Sequence, residues 1–314
     1  MPPEITPNGA GYGSSVVVPA HNEAAVLADR LGGLLASVPP GTVEVIVVAN
    51  GCTDDTAAVA RGVPGVRVVE LPEASKTAAL NAGDREATCF PRIYLDGDIR
   101  MSSEALTRLT AALTTERAVV AAPRVTFDVS RSSWPVRAFL TVFERLPYTR
   151  RGLVGLGVYG FSESARRRFD AFPAVVADDL YVQRLFAEQE RCTVDATFGV
   201  AAPRNLRSLV AVRTRVARGN RELAVRATEL GLESHATGPN TVRQLAREVT
   251  AHPDLLPAAL VYLGVTAVAR ARARRASPGA AWERDDSSRR TATRQDSVRI
   301  VTDSAMAASP EGRP

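Results

Sequence analysis

Lysine is almost missing from this sequence: of its 39 basic residues only Lys76 is a lysine. The arginine bias suits base composition as well as function, so it assigns nothing alone. Cysteine is equally scarce, with Cys52, Cys89 and Cys192 an odd number without a Cys-x-x-Cys pair. That excludes a disulfide framework and a zinc site, and a reducing cytoplasm fits best. His21, His235 and His252 are the only imidazoles, too few for a multi-histidine metal centre. Aromatics make up 5% of the chain and none interleaves the basic run from Arg270 to Arg275. A base-stacking platform is excluded, and no nucleic-acid partner is expected. The first 13 residues lack a charged-then-apolar leader and are expected to be flexible.

Long apolar runs are also few. The main one is Leu255 to Ala269, fifteen nearly uncharged residues ahead of the arginines. It falls short of the roughly 20 residues a spanning helix needs. A buried helix or an interfacial anchor fits better, and the arginines would suit contact with the inner face of a membrane. From Ala276 to Pro314 the chain is rich in Ser, Arg and Asp, and a disordered tail is expected.

What is present is a core-forming chain of 314 residues, 45% of them apolar. Strand and helix patterns alternate through the first hundred residues. Ser15–Val18, a β-branched run, and Val66–Glu70 read as strands, and Val43–Val48 and Ile93–Leu95 as buried strands. The stretches from Asn22 to Ser37, Asp54 to Arg61, Lys76 to Thr88 and Ser102 to Glu116 read as helices, the first opened by Asn22 and Glu23. This alternation predicts an α/β fold with a mostly parallel sheet flanked by helices. Farther on, Val119–Val125 reads as a strand, and Pro135–Arg145, Asp179–Ala187 and Arg207–Gly231 as helices. The expected organisation is one domain over residues 14–220, a helical extension over 221–275 and the tail.

The fourth strand runs straight into two carboxylates, Asp96 and Asp98, in Ile93-Tyr94-Leu95-Asp96-Gly97-Asp98. Open α/β sheets bind ligands at the carboxyl ends of their strands. Two hard oxygen donors so close call for a cation such as Mg²⁺ or Mn²⁺, completed by substrate phosphates. A solvated turn is the plainer reading of the pair. Gly155-Leu156-Gly157-Val158-Tyr159-Gly160 matches a dinucleotide fingerprint with Asp178 beyond it. Its context is wrong: a helix and basic residues precede the glycines, and an extended segment follows them.

A distributed pattern carries more. Val16-Val17-Val18-Pro19-Ala20-His21-Asn22-Glu23, Ala49-Asn50-Gly51-Cys52-Thr53-Asp54-Asp55, and Lys76-Thr77-Ala78-Ala79-Leu80-Asn81 precede the Asp96–Asp98 pair. Ala177-Asp178-Asp179-Leu180 and Arg213-Thr214-Arg215-Val216-Ala217-Arg218-Gly219 follow it. In this order, over residues 14–220, they resemble the family 2 glycosyltransferases of the GT-A fold.

The resemblance implies inverting transfer of a single sugar from a nucleotide-diphosphate donor, with Mg²⁺ or Mn²⁺ bound by Asp96 and Asp98. It implies that Pro19, Ala20, His21, Asn22, Glu23 and Asn50 contact the nucleoside, and that Lys76, Asp96, Arg215 and Arg218 serve the diphosphate side. Asn50 stands where the family carries an aspartate, which weakens the inference to uridine. Asp178 or Asp179 would be the general base, with the register between them open. Gly157, Tyr159 and Gly160 would border the acceptor, a glycan or lipid-linked hydroxyl in polysaccharide biosynthesis. Val216 replaces the tryptophan of processive synthases, which argues against a self-contained polymerase. The rival readings are a sugar-phosphate nucleotidyltransferase and a non-catalytic nucleotide-sugar-binding subunit.

Overall fold

In β1 (Ser14–Ala20), Val16, Val18 and Ala20 enter one apolar core and Val17 enters the opposite one. β2 (Val43–Asn50) repeats the division, with Val45 and Val47 on the first side and Ile46 and Val48 on the second. Strands covered on both faces read as unbroken apolar runs, which is why the sequence pattern is continuous rather than alternating. The computed structural model describes residues 13–146, 149, 156–232 and 241–275. The expected flexible N-terminus, save Gly13, and the expected tail lie outside the described residues.

β1 and β2 run parallel to β3 (Val66–Leu71) and β4 (Arg92–Leu95), in the order β3-β2-β1-β4. Helices α1 (Leu27–Leu35), α2 (Thr56–Arg61) and α3 (Lys76–Glu86) make the crossovers. Past β4 the sheet becomes mixed. β7 (Val158–Phe161) is antiparallel to β4 and to β6 (Val120–Asp128). β8 (Arg191–Ala201) is parallel to β6, and the short β5 (Arg100–Met101) closes that edge antiparallel to β8. β5 and β8 are not among the elements expected from sequence; β8 is largely half-exposed, with polar residues such as Asp195 breaking its apolar signal.

Leu27, Leu31 and Leu34 of α1, with Leu106, Leu109 and Leu113 of α4 (Ser103–Leu113), cover one face. The other face is covered by Ala79 and Leu80 of α3 and by Tyr181 and Val182 of α7 (Asp178–Leu185), which follows the single-turn α6 (Glu163–Arg166). α3 lies unusually close to the sheet. A Cβ on Gly83 would fall 2.3 Å from a Val17 methyl and 3.1 Å from a Val48 methyl, so only glycine permits that approach.

A third core joins α5 (Trp134–Phe143), α8 (Leu206–Arg226), α9 (Thr241–Ala251) and α10 (Leu256–Arg275). Its centre is the stack of Phe139 on Tyr262, with ring centroids 5.0 Å apart. Residue 220, the expected domain boundary, falls inside α8. That helix gives Leu223 to the sheet core and Leu209 to the third core, tying the two together. The stretch Pro253–Arg275 is long and apolar enough to cross a membrane. Tyr262, Val265 and Ala269 are nevertheless buried in the protein, while Leu256, Leu260, Leu263 and Val268 remain exposed.

Candidate active site

The carboxyl ends of β1, β2 and β4 bring three of the sequence motifs to one edge of the sheet. Asp96 follows β4 directly, and its N–H donates to the Gly157 carbonyl at 2.8 Å. Gly157 has φ +98°, and a Cβ there would meet Ile99 at 2.9 Å and Asp96 Oδ2 at 3.2 Å. Glycine is therefore required for the loop before β7 to lie against Asp96.

Lys76 is the first residue of α3, whose cap is Ser75 accepting from the Ala78 N–H at 3.2 Å. A cation at a helix N-terminus opposes the helix dipole. Two carboxylates offset that cost: Lys76 Nζ lies 2.8 Å from Asp96 Oδ1 and 3.1 Å from Asp178 Oδ2. Burial disfavours the charged ammonium, but Asp178 and Asp96 outweigh it and hold its pKa above the usual lysine range. Asp96 responds in the opposite sense. Burial lifts its carboxyl and Lys76 resists, while Asp178 and Asp98 add repulsion, leaving it at about 6.

Asp178 and Asp179 open α7, where negative charge suits the dipole. The buried Asp178 also accepts from the Tyr159 hydroxyl at 3.1 Å. Burial and the Asp178 charge push the Tyr159 hydroxyl well above its ordinary range, so it stays a donor. Asp179 accepts from the Leu180 N–H at 2.8 Å and from the Leu156 N–H at 3.5 Å. Burial and the neighbouring Asp178 raise its pKa.

Asp96 and Asp98 are both partly exposed, and close enough for the charge of Asp98 to act on Asp96. No group of three or more His, Cys, Asp or Glu residues gathers as a metal cage among the described residues. Two carboxylates short of a cage fit Mg²⁺ or Mn²⁺, which keeps positions for water and substrate phosphate.

The first loop is held by bonds between the ends of β1 and β2. The Asn50 carbonyl accepts from His21 Nδ1 at 2.6 Å, and Asn50 Nδ2 donates to the Ala20 carbonyl at 2.9 Å. Asn50 Oδ1 is buried without a hydrogen-bond partner among the described residues. Glu23 is buried, and its N–H donates to Thr56 Oγ1 at 2.7 Å. Pro19 pairs in register with Val48 at the end of β1. Asn22 does not open a helix as expected. It sits at φ +54°, its Oδ1 accepts from the Thr53 N–H at 2.8 Å, and α1 begins only at Leu27. Asp54 Oδ1 accepts from the Thr56 N–H at 3.1 Å as α2 begins.

Two of the expected acceptor residues are placed elsewhere. Tyr159 is buried beneath Asp178, and a Cβ on Gly160 would lie 2.5 Å from Leu113 inside the core. Both belong to β7, whose alternation turns Tyr159 toward α3 and Gly160 toward α4, so neither lines a surface. Gly157 alone of the three borders the site, and Gly155 lies outside the described residues. A Cβ on Gly219 would lie 3.2 Å from Val176 and 3.3 Å from Ala177, so α8 passes close beside the residues that precede Asp178. Arg218 adjoins that contact, and Arg215 lies one turn before Gly219.

One cluster escapes sequence reading. Asp84 of α3 pairs with Arg92 at 2.7 Å and with Arg166 at 2.5 Å, and accepts from the Tyr94 hydroxyl at 2.5 Å. Tyr94 in turn stacks on Tyr159 with ring centroids 5.4 Å apart. A charged network thus braces α3 from behind, at the opposite end from Lys76. Its members are scattered over 82 positions, and no local spacing announces them.

Residues 15–170 match Glycosyl transferase family 2. Uncharacterized glycosyltransferases of Mycobacterium tuberculosis and Mycobacterium bovis are each 36% identical over 104 residues, 33% of this chain and 45% of theirs. The matched stretch thus spans less than half the length of these curated relatives. A mannosyltransferase from Pyrobaculum calidifontis, solved in complex with GDP-Man and Mn²⁺, superposes with a TM-score of 0.54. It is 20% identical, with 94% of this chain and 80% of that one covered, a likeness of fold. Through residues 15–170, which include the first loop, Lys76, Asp96 and Asp98, the chain belongs to glycosyl transferase family 2.

Proposed function

We propose that this protein is an inverting glycosyltransferase that moves one sugar from a nucleotide-diphosphate donor to an acceptor hydroxyl with a divalent metal. The observation that carries the reading is the meeting of Lys76, Asp96 and Asp178, from three separate motifs, within 3.1 Å at the carboxyl edge of the sheet. Asp98 and Asp96 would hold Mg²⁺ or Mn²⁺, which neutralises charge growing on the leaving diphosphate. Lys76 binds that diphosphate, joined by Arg215 and Arg218 of α8. The loop Pro19–Glu23 and Asn50 take the nucleoside; Asn50 Oδ1, buried and without a hydrogen-bond partner among the described residues, would accept from a base N–H once the loop admits the base.

Asp179 is the base in this reading. Asp178 is committed to Lys76 and Tyr159, whereas Asp179 faces the segment before β7 through Leu156. A carboxylate with a raised pKa is the better proton acceptor. It takes the proton of the acceptor hydroxyl as that oxygen attacks the anomeric carbon opposite the diphosphate. The sugar–phosphate bond breaks as the new glycosidic bond forms, and the configuration inverts.

We place the enzyme in the cytoplasm, against the inner face of the membrane, with a glycan or lipid-linked acceptor. The exposed Leu256, Leu260 and Leu263, followed along α10 by exposed Arg270, Arg272, Arg274 and Arg275, support that placement. Residues 14–220 would supply the catalytic unit and α9 and α10 the extension.

The test is a thermal-shift and product assay with uridine, guanosine and thymidine diphosphates and their sugars, with and without Mn²⁺. The reading expects stabilisation by one base, dependent on metal and lost in Asp98→Ala, with release of a nucleoside diphosphate. Release of pyrophosphate with a new nucleotide-sugar would replace it with a nucleotidyltransferase.

A further inference from the structure

We infer that Lys76 and a divalent cation compete for Asp96, so that each favours the other's transfer to the donor diphosphate. This rests on the transferase reading above and adds to it a coupling between metal and donor.

The ammonium of Lys76 engages both oxygens of Asp96, Oδ1 at 2.8 Å and Oδ2 at 3.2 Å. A metal ion held by that carboxylate, at about 2.0–2.2 Å, takes an oxygen that the ammonium now engages and repels the ammonium. The two cations therefore compete for Asp96. What becomes of the displaced ammonium is set by its second partner. Asp178 Oδ2, 3.1 Å away, is buried and pinned by the Tyr159 hydroxyl. Lys76 therefore stays tethered at the site rather than swinging into solvent. Its rigid mount at the first turn of α3, itself pressed on the sheet at Gly83, fixes the pivot.

The consequence is reciprocal. Metal at Asp96 frees Lys76 to meet an incoming diphosphate. A diphosphate that draws Lys76 away opens Asp96 to metal. By linkage each raises the affinity of the other by the same factor, beyond their direct contact. A lysine that served only the diphosphate would have no bearing on metal affinity in the absence of nucleotide.

The experiment compares the full chain as wild type, Lys76→Met and Lys76→Arg. Mn²⁺ binding without nucleotide is read from the free-Mn²⁺ electron paramagnetic resonance signal, and UDP and GDP binding by calorimetry. Lys76→Met should bind Mn²⁺ alone about tenfold more tightly, within the usual range of coupling between sites, and the nucleotide about tenfold more weakly. Lys76→Arg should return Mn²⁺ affinity toward the wild-type value. Mn²⁺ affinity in Lys76→Met that is unchanged or weaker overturns the inference.

A measurement on unaltered protein guards against a variant that fails to fold. Because Lys76 is the only lysine, isotope-labelled lysine gives one side-chain signal. Adding Mg²⁺ alone should shift it, and a signal that ignores saturating Mg²⁺ overturns the inference. Wild type that binds neither Mn²⁺ nor either nucleotide sinks the transferase reading itself. Wild type that binds both, with Lys76→Met failing the Mn²⁺ test, sinks only the coupling.

Discussion

Tyr159 and Asp178 are joined by a 3.1 Å hydrogen bond buried under the edge of the sheet, the hydroxyl donating to the same carboxylate oxygen that holds Lys76. The family resemblance had implied that Tyr159 borders the acceptor. The strand turns it inward instead, and it becomes a support for the acidic pair.

Replacing Tyr159 by Phe should therefore leave acceptor binding alone. The ring stack on Tyr94 survives and only the hydroxyl is lost. KM for the acceptor is expected to stay within about twofold, and kcat to fall about tenfold, roughly the 1.4 kcal/mol of one hydrogen bond to a charged group. Steady-state kinetics with acceptor varied decides it; a large rise in acceptor KM would restore a surface role.

The two aspartates at the start of α7 should separate kinetically. Asp179→Asn removes the proton acceptor and should lower kcat by about 10²–10⁴-fold while donor binding persists. Asp178→Asn loosens Lys76 and should weaken nucleotide binding as well as turnover. Calorimetric donor binding beside kcat for both variants tests the assignment, and the reverse pattern would exchange the roles.

Mn²⁺ binding should depend on pH in a direction fixed by Asp96. Its carboxyl is raised to about 6, so below that value a proton occupies the oxygens the metal needs. Affinity is expected to be flat above pH 7 and to fall about tenfold for each unit below 6, because one proton is displaced per metal bound. A titration from pH 7.5 to 5 checks this, and loss beginning only below pH 4 would contradict it.

The Asp84 network should show in stability. Burial lifts the Asp84 carboxyl, but the Tyr94 hydroxyl and Arg92, with Arg166, more than reverse it, so its pKa lies below the usual 3.8. A depressed carboxyl stabilises the fold above its unfolded value and loses that contribution as pH falls through the folded one. Asp84→Asn strands two nearly buried arginines and should cost about 3–5 kcal/mol in urea unfolding at pH 7. The gap from wild type should narrow as pH drops below 3.8; a gap independent of pH would assign the cost to packing.

The sequence by itself determined much of the catalytic edge. Val43–Val48 and Ile93–Leu95 are largely apolar because parallel strands inside the sheet bury both faces, and these two and the half-exposed Val66–Glu70 each fell within the strand the structure forms. Asp96 and Asp98 stood out as paired carboxylates at a strand end, and Lys76 and the Asp178–Asp179 pair through the ordered motifs that resemble family 2 glycosyltransferases. The start of α1 did not stand out: Asn22 resembles a cap, yet its side chain bonds to Thr53 across the loop. β8 was hidden by its half-exposed, polar pattern.

Tertiary structure alone decided which of these groups meet. Lys76 pairs with Asp96 twenty positions on and with Asp178 far beyond it only because Gly83 lets α3 press on β1 and α7 starts beside the same strand ends. The inward turn of Tyr159, the burial of Gly160 and the Asp84 brace all follow from β7 running antiparallel to β4. Strand direction and register decide which face each side chain takes, and they are set by pairing between distant segments that local pattern does not encode.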